Sequence, residues 1–293
     1  MNFWQRHLKI TIETPDKNKI VFTDLYKIIF NVSVIPNQIN SKAEILIYNA
    51  SQSDVDKIIS NAGKAIITLE GGYESDYGTI FIGSIMNAAQ VKPEPTDIAL
   101  KLWCWTNPEN IAKYTVNDTY NKGISNIDLI KQLATKIDFV EKIDIDKNIP
   151  IETLSFNKVA TGKVSDYLNN LASQYAFVWK VEGSTFKAEV ENGDGIDPIV
   201  IDEKSGLIGL PEKTTIGANC RVFLNHKLKF NGKVRINCKH ANITASDISV
   251  RTNSNTNING DYYIYTLSHS GDTRGDAYYS DIQCQSYNAA GGK

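Results

Sequence analysis

Four histidines are scattered through the chain at His7, His226, His240 and His269, and none stands at a spacing that chemistry uses. There is no His-Glu-x-x-His pair, no nucleophile elbow, and no P-loop or Gly-x-Gly-x-x-Gly ahead of a helix. Cys104, Cys220, Cys238 and Cys284 lie far apart with no Cys-x-x-Cys, and read as buried free thiols. Carboxylates are plentiful but unclustered, so no general-acid pair is visible. These patterns predict no cofactor and no metal, and they show no catalytic constellation. The densest run of functional groups is His269-Ser-Gly-Asp-Thr-Arg-Gly-Asp276. Ser, His and Asp adjacent on one loop cannot reach one another in triad geometry. The run reads instead as a hydrogen-bonded loop in which Gly271 and Gly275 allow unusual backbone angles. Its His269, Asp272 and Arg274 become candidate contacts to a neighbouring molecule.

Charge supplies the second candidate surface. With 31 basic residues against 33 acidic and a net charge of −2, the chain is not a dedicated duplex-DNA binder. Yet no acidic residue occurs between Glu212 and Asp247, while Lys213, Arg221, Lys227, Lys229, Lys233, Arg235 and Lys239 all do. A three-residue loop, Phe230-Asn231-Gly232 with Gly232 left-handed, would pair Lys229 with Lys233, Lys227 with Arg235, and Leu228 with Val234. That gives one apolar and one basic hairpin face. Four cations side by side repel unless a polyanion or an acidic partner lies opposite, or salt screens a solvated face.

The elements that carry these residues are mostly strands. Period-2 patterning covers Leu8–Ile12, Tyr26–Val34 and Ala43–Tyr48. Ser51 as N-cap, Asp54 three residues on and Gly63 as stop then frame a helix. Strands at Ala65–Glu70, Thr79–Ile85 and Ile98–Trp105 complete a six-strand set with one short helix, a small barrel or sandwich. Residues 106–204 form an α+β middle module. One helix carries Ile127, Ile130, Leu133, Ala134 and Ile137 on a face, and a second carries Val164, Tyr167, Leu168, Leu171, Ala172 and Tyr175. A hairpin, Phe177–Val181 with Thr185–Val190, follows the second helix. Residues 205–293 return to strands.

The two ends repeat one another. Gly78–Ile85 aligns with Gly260–Leu267, and Leu100–Cys104 with Ser280–Cys284. The fold class is therefore mainly β, with two related small β-barrel domains, 1–105 and 205–293, flanking the helix-containing domain. Size and 42% apolar content allow two to three small cores. No signal-peptide core follows Met1, and no apolar run approaches a bilayer span, so a soluble cytoplasmic product is expected.

Several stretches, in one order, resemble the baseplate hub proteins of tailed phages. These are the T-even contractile-tail hub, the late-control D proteins and the hub part of type VI secretion spikes. The stretches are Glu44–Ser51, Gly71-Gly-Tyr73, Ile80–Ile85, Asp166–Trp179, Ser205–Glu212 and Leu267–Asp276 with the Tyr278–Cys284 strand. Ala50 and Ala176 depart from the expected Leu and Gly. The resemblance implies a virion structural protein and not an enzyme, assembled in the host cytoplasm and carried in the tail baseplate. It implies a homotrimer whose six β-domains form a pseudo-sixfold ring between the hexameric tail tube protein and a trimeric central spike protein. Other baseplate proteins would be neighbours, and DNA would pass through the lumen during genome ejection. Lys227, Lys229, Lys233 and Arg235 are then expected to meet an acidic partner or line a wall, and Asp272 with Arg274 to pair across a protomer boundary. With Lys293 as the last residue, no appended spike or hydrolase domain is expected. Two alternatives stand beside the hub: a tail-associated cell-wall or polysaccharide hydrolase, and a carbohydrate-binding β-module stacking sugars on Trp103, Trp105 or Trp179.

Overall fold

The computed structural model of the chain describes residues 5–34, 41–74, 76–106, 113–182, 184–190, 197–214, 216–243 and 257–286. It divides into two compact units, Met1–Trp105 with Gly195–Lys293, and Thr106–Asp194. The architecture is mainly β. In chain order come β1 (Arg6–Glu13), β2 (Lys19–Thr23), β3 (Ile28–Val34), β4 (Lys42–Tyr48), helix α1 (Gln52–Ser60), β5 (Ile66–Tyr73), β6 (Asp76–Val91) and β7 (Ala99–Trp105). Next are β8 (Thr115–Tyr120), α2 (Asn126–Ala134), β9 (Lys142–Ile145), β10 (Lys158–Lys163), α3 (Val164–Tyr175), β11 (Phe177–Glu182) and β12 (Thr185–Val190). Last are β13 (Ile199–Ile201), β14 (Leu207–Lys213), β15 (Gly217–Phe223), β16 (Lys233–Ile236), β17 (Asn242–Ile243), β18 (Gly260–Asp272) and β19 (Tyr278–Ser286).

The first unit forms around one 14-stranded sheet, whose path runs β17-β14-β15-β19-β18-β3-β4-β7-β6-β5-β1-β2. Strand β16 pairs with β18 beside this path, and β13 with β16. Among the described residues the path is open, ending at β2 and β17, so the expected barrels appear as two halves of one unclosed sheet. Period-2 burial drives it: Leu8, Ile10 and Ile12 are fully buried while their neighbours face outward. Strand β2 was not anticipated, because Lys19-Ile-Val-Phe-Thr23 buries only Phe22 and shows no clear alternation. Helix α1 starts as the sequence requires. The Ser51 hydroxyl accepts from the Asp54 amide at 3.2 Å, and Val55 and Ile58 face the core. Gly63, at φ 86°, turns the chain and donates to the Ile85 carbonyl.

The repeat is visible in the strand pairings. In the first half Ala43 (β4) faces Cys104 (β7), which faces Ile85 (β6). In the second half Ala218 (β15) faces Cys284 (β19), which faces Ile264 (β18). All six side chains are buried. One core row further on, Ile45–Leu102–Ala88 matches Cys220–Ile282–Leu267. Beyond β4 and β15 lie β3 and β14, and against the N-terminal parts of β6 and β18 lie β5 and β16, all antiparallel. Five strands thus recur in one order, β3-β4-β7-β6-β5 and β14-β15-β19-β18-β16. A bulge follows the shared row in both hairpins, between Ile85 and Asn87 and between Ile264 and Thr266. These pairings set Ile85 against Ile264, so the first stretch of the sequence alignment slides by three residues while Cys104 and Cys284 keep their match.

The second unit contains a two-stranded sheet, β10-β8, and a three-stranded sheet, β11-β12-β9. Its helices bury Leu129, Ile130, Leu133 and Ala134 from α2 and Val164, Leu168, Leu171 and Tyr175 from α3. Leu129, rather than the expected Ile127, carries the α2 stripe. Ala176, at φ 51°, ends α3 in the left-handed conformation that glycine takes at low cost. Among the described residues no helix is long and apolar enough to cross a membrane.

Candidate functional site

The two half-sheets meet where the C-terminal part of β18, Leu267–Asp272, pairs antiparallel with Val34–Ile29 of β3. Gly271 lies opposite Phe30, and a Cβ there would collide with the Phe30 ring and come within 2.9 Å of Tyr278. Tyr278, 1% exposed, is the centre of this seam. Its ring meets Phe30 and Tyr73 edge-on at centroid distances of 6.0 and 5.5 Å. Its hydroxyl donates to the His7 carbonyl at 2.6 Å, and the Tyr73 hydroxyl donates back to the Tyr278 carbonyl at 3.1 Å. Burial pushes the Tyr73 phenol up to about 12, and the Tyr278 phenol rises for the same reason. An aromatic ring buried this fully contributes about 4–6 kcal/mol as an upper bound from area removed from water. Leu224 and Tyr278 of the second half sit inside the first half's core cluster, so the two halves share one interior.

The β18–β19 tip is fastened to the β2–β3 turn. The Thr273 amide donates to the Ile28 carbonyl at 3.0 Å, and its hydroxyl donates to the Tyr26 carbonyl at 2.8 Å while accepting from the Ile28 amide at 2.9 Å. The Arg274 amide donates to the Asp272 carboxylate at 2.8 Å, and its guanidinium donates to the Leu25 carbonyl at 2.9 Å. Arg6 crosses from β1 to donate to the carbonyls of Asp272 at 2.9 Å, Gly275, and Asp276 at 3.0 Å. The same guanidinium lies 5.1 Å from the Tyr278 ring centroid. Arg6, Asp24, Thr273, Arg274 and Gly275 line an open polar cleft. Asp272 and Arg274 are therefore joined to each other and to their own chain. Arg6 carries no sequence signal: a lone arginine beginning a strand shows nothing of a contact made 266 residues away.

His269 is placed in the interior rather than on a surface. It is 2% exposed, with Nδ1 2.8 Å from the Ser280 hydroxyl. Burial drives its pKa down to about 3, with Lys229 and His226 adding to the effect. Ser280 is 0% exposed, so this Ser–His pair is closed to any substrate. Burial likewise pushes the Cys104 and Cys220 thiols up to about 12, which makes them poor nucleophiles. Among the described residues no cluster of three or more His, Cys, Asp or Glu could hold a metal ion.

The basic hairpin expected over 227–235 does not form. Only Lys233–Ile236 is a strand, and it pairs with β18 and β13 instead of with residues 227–229. Asn231, at φ 61°, takes the left-handed turn position that was assigned to Gly232. The four cations separate. Lys227 Nζ lies 2.7 Å from Asp76, and Lys229 Nζ donates to the Thr79 carbonyl at 3.1 Å. Arg235 holds Asp261 with two bonds of 2.6 and 2.9 Å, and Lys233 reaches the same carboxylate at 3.7 Å. His226 packs on Gly78, where a Cβ would stand 2.5 Å from its ring. Lys227, Lys229 and His226 thus clamp the β5–β6 tip of the first half from the second, and the expected hairpin is absent because β16 pairs with β18, a strand distant in sequence.

The seam thus holds the two halves of the repeated sheet together within one chain. The family described as Baseplate hub gp41 matches residues 7–284. The chain belongs to that family. No curated protein matches the sequence. Among solved structures, the tail protein from Neisseria meningitidis MC58 superposes with a TM-score of 0.64 at 8% identity, covering 96% of this chain and 97% of that one. The 43 kDa tail protein of prophage MuSo2 from Shewanella oneidensis gives 0.58 at 8% identity, with 96% and 97% covered. The E. coli c3393 protein is described as a type VI secretion component similar to the T4 tail proteins gp27 and gp5. It gives 0.57 at 8% identity, with 89% and 73% covered. At such identities the likeness establishes a shared fold.

Proposed function

We propose that this member of the baseplate hub family is the ring-forming adaptor of a phage tail, a homotrimer whose six similar β-units match a hexameric tail tube on one side and a trimeric spike on the other. The observation that carries this reading is the five-strand unit repeated within one chain and joined edge to edge. Two such units per protomer allow three protomers to imitate sixfold symmetry, since a closed ring needs similar but non-identical docking surfaces on each chain. The division into 1–105, 106–204 and 205–293 belongs to this reading, the outer two segments acting as tube domains. DNA would pass through the ring during ejection, and the assembled baseplate would be the place of action. Of the four cations chosen from the sequence, Lys227, Lys229 and Arg235 are exposed and Lys233 is half-buried. The exposed three are the ones an acidic partner could reach.

The test is the mass of the purified chain by sedimentation together with negative-stain imaging. A trimeric ring with six lobes is expected. A monomer at all accessible concentrations, or a closed dimer, would overturn the reading.

A further inference from the structure

The sequence holds three Asn-Gly steps, at Asn192, Asn231 and Asn259. Such a step carries its own chemistry. The glycine nitrogen attacks the asparagine Cγ, ammonia leaves, and water then opens the resulting succinimide to aspartate or isoaspartate. Glycine permits this because no side chain shields the nitrogen or restricts the backbone. Asn192 and Gly193 lie outside the described residues. The fold treats the other two steps in opposite ways.

Asn231 is guarded. It is 6% exposed, and the Gly232 amide that would attack it donates to the Lys229 carbonyl at 3.0 Å. A Cβ on Gly232 would stand 2.9 Å from that same oxygen, so the backbone has little room to rearrange. At Asn259 each of these restraints is relaxed. Asn259 and Gly260 are both exposed, and a Cβ on Gly260 would meet nothing nearer than the Tyr262 ring at 3.9 Å. Gly260 begins β18 opposite Ile236, the last residue of β16. Its pairing is therefore the end of a ladder, which opens at low cost. The Asn259 Oδ1 accepts from the Cys238 amide at 2.8 Å, so a donor already faces the oxygen that gains charge when Cγ is attacked. The fold also keeps glycine at this place, since Gly260 has φ 153°, a value that residues with side chains rarely adopt.

We infer that Asn259 is a site of spontaneous deamidation, and that its isoaspartate product loosens the pairing of β16 with β18. The Gly260 nitrogen gives its proton to hydroxide and bonds to Cγ, while the side-chain nitrogen of Asn259 leaves as ammonia. Water then adds across one of the two carbonyl–nitrogen bonds of the ring, its hydroxyl going to carbon and its proton to nitrogen. Opening on one side restores the normal backbone with an aspartate. Opening on the other routes the chain through the former side chain and makes the backbone one carbon longer just ahead of β18. No oxidant or second protein takes part. The aspartate product keeps an acceptor for the Cys238 amide. The isoaspartate product displaces β18 against Lys233–Ile236, where Arg235 holds Asp261 with two bonds.

The experiment ages the full chain in mildly alkaline buffer, folded and in denaturant, and maps its peptides by mass spectrometry. In denaturant the Asn231 and Asn259 peptides should both show an amide turned to acid. In the folded chain Asn259 should react and Asn231 should not, with a rate proportional to hydroxide and with oxygen from labelled water in the product. A folded chain in which Asn259 stays intact, or in which Asn231 reacts as fast, overturns the site. Hydrogen exchange at Lys233–Ile236 should be faster in the aged chain than in the fresh one. Asn259→Asp has the new charge on a normal backbone and should exchange like the fresh wild type. Asn259→Gln should lose both the product and the faster exchange. Equal exchange in aged and fresh wild type overturns the effect on β16 and β18.

Discussion

Acid should loosen the seam between the half-sheets chiefly through one buried side chain, His269. His269 titrates at 6.5 when exposed and near 3 when folded, so between those values the unfolded chain binds more protons and stability rises with pH. The neutral-histidine contribution is complete above pH 6.5 and is lost as the pH falls toward 3. At pH 5 the loss is about 2 kcal/mol, from about 1.4 kcal/mol per unit. Against a total of about 5–15 kcal/mol this is large. With a urea slope of about 2–3 kcal/mol/M, the midpoint should drop by about 1 M. Asp16, Asp202 and Asp261 are held below their usual carboxylate value, so they act only under about pH 4 and stay out of this window. Burial lowers His226 in the same direction, and a His226→Asn variant measures its share. In His269→Asn the amide can keep the Ser280 bond and cannot take up a proton. Urea midpoints of wild type and variant, followed by fluorescence from pH 7.5 to 4.5 at fixed ionic strength, decide the matter. If His269→Asn shows the wild-type slope, the assignment is wrong.

Three further outcomes follow from the same seam and core. Gly271→Ala should cost about 1–3 kcal/mol by overpacking Phe30 and Tyr278, read as a lower urea midpoint, and Phe30→Leu in the same chain should recover part of it. Arg6→Ala removes three bonds to carbonyls at the β18–β19 tip and should cost about 2–3 kcal/mol. Hydrogen exchange should then speed up at Thr273–Ala277 while β4 and β7 stay protected. All four thiols are buried, so none should react with a thiol reagent in the folded chain, and all four should react in denaturant; one fast thiol under native conditions would contradict that packing.

How much of this was legible in the sequence depended on whether the signal was local. Leu8–Ile12, the Ser51 cap and the Phe177–Val190 hairpin are written in adjacent residues, and the strands and helices form there. The repeat was legible through Cys104 and Cys284, yet the bulges after Ile85 and Ile264 slid one strand by three residues, because an inserted residue resets which side chains face inward. Lys227 to Arg235 misled for a related reason. A hairpin is the shortest way to pair two strands, but β16 finds β18 some thirty residues on, and each cation meets a carboxylate or carbonyl that no spacing rule connects to it. His269 looked like a surface group within a polar run. Its burial is set by β19 and β3 on either side, which a local pattern does not contain.

The seam also constrains how the chain is made. Strand β3 leaves the ribosome about 230 residues before the stretch of β18 that covers it. At about 5–20 residues per second this edge waits roughly 12–50 s, with the entire second unit synthesised in between. Nascent chains stalled before Leu267 therefore carry an unsealed, largely apolar strand, Ile28-Ile-Phe-Asn-Val-Ser-Val34. Such fragments are natural clients for chaperones and the first species to aggregate when translation outruns them.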